Sequence, residues 1–215
     1  MPTNAQILTL TQWFSPSYPV GAFAYSHGLE TAIKDGDIAT CADLRKWLWD
    51  VIDHGGGRND CILLRSAYEC EDLAGLEAVN AAACAFAGSA ERLKETTLQG
   101  AAFTRTTAAI WDALAPDCAY PVAVGYAARQ LDLPVDLTTT LYLQAFAGNL
   151  VSAAVRLVPL GQTEGQSTLA ALASLCLKVA EESKAGDIDH LASTAFLSDI
   201  AAMKHETLEH RIFRT

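Results

Sequence analysis

Apolar residues along this chain recur at intervals of three and four, the spacing that lines one face of a helix, and period-two alternation is nowhere sustained. The clearest run is Leu44, Trp47, Leu48, Val51 and Ile52, a stripe that follows a Thr40 suited to cap it and stops at the breaker "HGGG", residues 54–57. That glycine run reads as a flexible connection whose last residues enter the next helix. It puts Asn59 or Asp60 near the cap and leaves Arg58 and Asp60 as candidate surface contacts. Helical stretches follow over residues 60–70 and 73–87, and Ser89 can cap a longer helix to about residue 114, which Pro116 ends.

Residues 121–131 predict another helix, closed by "DLP", and residues 136–157 a long one, broken by "PLGQ". Thr163 and Gln166 have capping-box spacing for the next, which continues to about residue 184. After the turn "AGD" a last helix is expected from about residue 188 to 209. Between Leu137 and Leu177 only Arg156 and Glu164 carry charge, so these helices belong in the middle of a bundle. No repeat and no long linker divides the chain. The expected fold is one all-α domain, residues 1–215, a bundle of about ten helices.

Charge narrows the function classes. A net charge of −10 opposes binding to nucleic acid, where Lys and Arg must neutralise phosphates, and to anionic membrane surfaces. Mean hydropathy of +0.17 lies on the upper side of ordinary for a soluble protein. Residues 137–155 lack charge but contain Thr138, Thr139, Thr140, Gln144, Asn149 and Ser152, which suits a buried helix better than a membrane span. No Lys or Arg precedes the first apolar residues, and polar side chains interrupt them, so a secretory signal is not expected and the chain reads as cytoplasmic. The six cysteines are scattered without a C-x-x-C pair, as reduced core thiols would be, and show no zinc-binding cluster.

Three stretches approach known chemistry and fall short. "AYSHG", residues 24–28, nearly spells a nucleophile elbow around Ser26, but that device needs a parallel sheet to lift the serine. "HETLEH", residues 205–210, separates its histidines by five positions, about 140° round a helix at ~100° per residue, which makes a poor chelate. "HGGGRND" lacks the G-K-[ST] ending of a phosphate loop, so no nucleotide is expected on this chain.

The two ends are different in kind. No Asp, Glu, Lys or Arg occurs before Glu30, and Pro19 with Gly21 is placed to end one helix and aim the next. Tyr25 and Leu29, like Ser26 and Glu30, fall four apart on that second helix. At the other end "RIFR", residues 211–214, sets Ile212 and Phe213 between two arginines. Composition leaves two readings of it open, an interface anchor and a frayed terminus.

"SPSYPVGAFAYSHGLE" (residues 15–30), "RLVPLGQTEGQ" (156–166) and "MKHETLEHRIFRT" (203–215) together resemble the UreF family of urease accessory proteins, in the family's order and spacing and across nearly the whole chain. The resemblance implies an all-helical, dimer-forming scaffold with no catalytic residues. It would bridge a UreD/UreH-type accessory protein and a nickel-carrying UreG-type GTPase, and regulate GTP-dependent nickel delivery to apo-urease. Nickel would then be handled by the complex and GTP held by the partner, with no cofactor or metal bound stably here. The terminal segments 1–30 and 203–215 become partner-binding regions. Tyr25, His27 and Glu30 are carried over to the surface that meets the GTPase, and Pro19 and Gly21 are counted among the partner-binding residues. His205, Glu206, Arg211, Phe213 and Arg214 are carried over as a contact with the UreD-type partner or as an ordering tail in the dimer. Gln162 lies in a turn read first as structural and second as lining a polar passage or touching the GTPase. The chain departs from the family pattern at Ala24, Leu208, Glu209 and His210. Two other functions stand beside this one, a small helical hydrolase using Ser26 and a purely structural helical oligomer.

Overall fold

The computed structural model describes residues 1–215 and contains helices and turns but no strand. In chain order the helices are α1 (Asn4–Trp13), α2 (Leu29–Lys34), α3 (Cys41–His54), α4 (Gly56–Glu69), α5 (Leu73–Ala85), α6 (Ala90–Trp111), α7 (Tyr120–Gln130), α8 (Val135–Leu157), α9 (Gln162–Glu182) and α10 (Phe196–His205). The all-α bundle of about ten helices is therefore what the chain forms. None of them is long and apolar enough to cross a membrane.

Local signals explain many of the boundaries. Thr40 caps α3 reciprocally: Asp43 N–H donates to its hydroxyl at 3.3 Å, and Asp43 Oδ2 accepts the Thr40 N–H at 3.0 Å. Ser89 caps α6 by accepting the Arg92 N–H at 3.1 Å. That helix stops at Trp111, short of residue 114, because Asp112 turns left-handed at φ 56°.

Four expectations are corrected. The "HGGG" run is no flexible connection: only Gly55 separates α3 from α4, and the other glycines lie inside the second helix. A Cβ on Gly57 would sit 2.8 Å from Ile52 Cα, so the corner is tight and glycine permits it. Helix α9 begins at Gln162, where Glu164, and not Thr163, supplies the cap by accepting the Gly161 N–H at 2.8 Å. The last helix is much shorter than expected. Residues 188–190 make one 3-10 turn, and the backbone then pairs elsewhere, Ala192 N–H with Asn59 Oδ1 and Thr194 N–H with the His54 carbonyl. Finally, Tyr25 and Ser26 are not helical. His27 and Gly28 follow them at φ 55° and 75°, and α2 starts only at Leu29.

Two apolar cores lie side by side. One gathers α1, α4, α5, α6 and α7 around Trp13, whose ring meets Phe103 edge-on at 4.9 Å and Trp111 at 5.9 Å. The other joins α2, α3, α8, α9 and α10 through Leu29, Leu44, Leu48, Leu150 and Leu172, and closes over Phe213 from the tail. Helices α4 and α8 serve both, Leu64 and Tyr142 facing the first core, Cys61 and Leu143 the second. This double duty is why α8 carries so little charge along its length.

Candidate functional site

The chain ends lie against each other. From residue 210 onward the tail is held at nearly every step by the stretch 24–34 and by the start of α6. Lys34 donates to the His210 carbonyl, and Arg211 pairs with Glu91. The Glu30 carboxylate accepts the Ile212 N–H at 2.8 Å and the Phe213 N–H at 2.9 Å. Arg214 N–H donates to the Ala24 carbonyl at 2.8 Å, and Ser26 gives both its N–H and its hydroxyl to the Thr215 carbonyl. The Thr215 hydroxyl in turn donates to Glu95 at 3.0 Å.

His205, at the end of α10 and fully buried, is the hub of this junction. Its Nε2 lies 3.3 Å from Glu30 and its Nδ1 2.7 Å from Glu91. Both ring nitrogens thus face carboxylate oxygens, one from α2 and one from α6. Gly28 lets α10 approach this closely, since a Cβ there would meet the backbone of Ala201 and Ala202.

Deeper in, the His27 ring stacks edge-on against Phe146 at 4.9 Å. Its Nε2 lies 2.7 Å from Arg92 and 2.9 Å from Glu95. One ring nitrogen cannot donate to Glu95 and accept from Arg92 together. Burial, reinforced by the guanidinium, lowers the His27 pKa, so the ring is neutral and accepts from Arg92, while Arg92 pairs directly with Glu95. Burial alone would raise Glu95, but the Arg92 guanidinium holds its carboxyl down to about 2. Asp60 is the opposite case: burial pushes it up to about 6, even though Tyr142 donates to it at 2.6 Å. Asp60 lines an open pocket of about 450 Å³ together with Trp13, Tyr120, Tyr142, Arg92 and His27.

The middle motif meets the first at the rim of that cavity. Arg156 on α8 donates to the Phe23 carbonyl at 3.2 Å, and Asn149 to the Ala22 carbonyl at 2.8 Å. The three stretches that carry the family resemblance, distant in sequence, thus converge on one region. Of the residues singled out there, Tyr25, His27, Glu30, His205 and Phe213 are buried and engage this same chain. Pro19, Gln162, Glu206, Arg211 and Arg214 are exposed, and Gly21 is half-buried. Glu206 has an internal task as well, accepting the Ala90 N–H at 2.8 Å at the positive end of α6. Gln162 stands apart from the tail, beside Arg156 and Gln166.

Sequence reading passed over Glu91, Arg92 and Glu95, which hold the junction from α6. The available signal was the series Glu95, Gln99 and Phe103, which places two polar side chains on the buried stripe of that helix. Gln99 donates to Glu95 at 2.9 Å, so the stripe buries polar groups as a paired set. The hydrolase reading of Ser26 is overturned: the residue is fully buried, its hydroxyl is spent on Thr215, and no sheet supports an elbow. The six cysteines are free, and no three His, Cys, Asp or Glu side chains stand together as a metal site.

Fold and site define a class first: a helical protein whose ends interlock and whose titratable groups are consumed in holding them. Comparison with known proteins makes it specific. The UreF family model matches residues 38–173. The chain is similar to the urease accessory protein UreF of Ruegeria pomeroyi, with 53% identity over 100% of this chain and 99% of the relative. It is similar in the same way to the UreF proteins of Roseobacter denitrificans (52%, covering 100% and 96%) and Cereibacter sphaeroides (53%, covering 99% and 100%). The chain belongs to the UreF family of urease accessory proteins, which act in urease maturation.

Proposed function

We propose that this chain is a non-catalytic scaffold that bridges a UreD/UreH-type accessory protein and a UreG-type GTPase, regulating GTP-dependent nickel delivery to apo-urease. Nickel is cargo of the assembled complex, GTP is held by the partner, and the chain acts as a homodimer in the cytoplasm. The observation that carries the reading is the convergence of the three resemblance motifs. Their buried members fix the tail against the first loop, and that leaves Phe23, 64% exposed, and Ile212, 74% exposed, standing out beside the junction. Large apolar side chains held rigidly in the open are what a protein partner covers.

The test is co-purification of the double variant Phe23→Asp/Ile212→Asp with each partner, together with nickel-dependent urease activation. Both side chains are exposed, so the fold should survive. Loss of one partner together with activation supports the proposal. A folded variant that retains both partners and full activation overturns it. The purely structural oligomer would show no partner binding even for the unaltered chain.

A further inference from the structure

A groove of about 250 Å³ runs between the tail and α6, lined by Tyr25, Lys94, Leu98, Arg211, Phe213 and Arg214. Its one carboxylate, Glu91, is already taken by Arg211 and His205. Lys94 and Arg214 are exposed, and neither enters an ion pair. Arg105, also exposed and unpaired, continues the line, since Lys94, Leu98 and Arg105 lie within about 40° of one another round α6 and span about 16 Å. Leu98, 46% exposed, sits between the cations. On a chain of net charge −10 this strip is positive, whereas several other cations are neutralised locally, as Arg65 and Lys184 are by Asp136 and Lys204 by Asp35.

We infer that this strip is a docking site for an acidic segment of a protein partner, its carboxylates meeting Lys94, Arg105 and Arg214 around one apolar side chain seated on Leu98. The assignment rests on the proposed scaffold role and names the chemistry of one of its contacts. Charge complementarity selects the occupant: the net negative chain repels an anionic bilayer or nucleic acid as a whole, while a short acidic peptide segment senses only the local field. The groove is also sized for a few side chains, and the half-exposed leucine rewards an apolar anchor.

The test measures binding of the full-length chain to the UreD/UreH-type and UreG-type proteins separately, at 50 and 300 mM salt, for wild type and for Lys94→Glu/Arg214→Glu. Affinity for one partner should fall about tenfold or more at low salt, and the salt dependence of that complex should flatten. A milder Lys94→Gln/Arg214→Gln variant should fall between, and thermal melts of all three should coincide because neither side chain is paired. Unchanged affinity and salt dependence for both partners overturn the inference, while Phe23 and Ile212 would still test the scaffold role independently. Binding to vesicles containing anionic lipid that is lost in the charge-reversed variant, with protein binding intact, would also overturn it in favour of a membrane surface.

Discussion

The core around Trp13 and the junction around Glu30 are both buried, and they hold the chain by different physics. In the first, Phe103, Tyr18, Trp111 and their neighbours exclude water through shape and area, with rings meeting at their edges. Its stabilisation is spread over many contacts and survives the loss of any one polar bond. In the second, Glu30, His205, Glu91 and Arg211 form a chain of polar contacts, closed on the tail backbone. A paired buried charge adds little net stability, but losing one partner strands the other. The first region therefore sets whether the bundle forms. The second sets where the last six residues of the tail lie.

That contrast is broken most severely from the aromatic side. Phe103→Ala empties a fully buried ring site and should cost about 3–5 kcal/mol, lowering the melting midpoint by roughly 10 °C, with tail and bundle melting together. A calorimetric midpoint close to wild type would show that this core is not the main support.

Glu30→Ala should act locally. It removes the acceptor of two tail amides and leaves His205 half-paired, a loss of about 3 kcal/mol at the junction. Hydrogen exchange at Ile212 and Phe213 should speed up about a hundredfold, and trypsin should cut at Arg211, while the bundle midpoint moves much less. Tail amides as protected as in wild type would refute the assignment of Glu30 as the clasp.

Asp60→Asn gives the smallest and most diagnostic effect. The folded-state value of about 6 lies above the ordinary carboxylate value, so this group contributes stability that is complete below about pH 4 and lost as pH rises through 6. Asparagine keeps an acceptor for Tyr142 without the charge. The variant should be more stable than wild type at pH 7, by about 1–3 kcal/mol given partial access to cavity water, and equal to it near pH 4. Glu95, held at about 2, slopes the other way: its contribution is present above the ordinary glutamate value and lost as pH falls towards 2. Denaturant midpoints across pH 4–8 check the sign, and an Asp60→Asn curve parallel to wild type would contradict it.

Much of the helical framework was legible because its signals are local. Thr40, the stripe Leu44–Trp47–Leu48–Val51–Ile52 and the cap Ser89 each act within one or two turns, and each appears where the spacing puts it. Two of the misreadings fall where a distant group intervenes. Residues 191–195 have helical company in sequence, but Ala192 and Thr194 give their amides to Asn59 and His54, and "HGGG" tightens into a corner because Ile52 and Leu143 pack against Gly57. At the candidate site His205 and His210 do lie in different settings, one buried and one exposed, but because α10 ends at His205 and not because of their spacing round a helix, and the spacing did not reveal what the buried one meets.

The sequence by itself determined the class of fold, the approximate order of the helices and, through three motifs, the family, because periodicity, caps and motif order are properties of neighbouring residues. Only the tertiary structure decided that Glu30 faces inward, that the tail closes against the first loop, and that Lys94 and Arg214 share one groove. Those outcomes depend on pairing groups more than 100 positions apart, as Glu30 with Phe213 or Lys94 with Arg214, and such pairing is set by how helices pack, which no local pattern encodes.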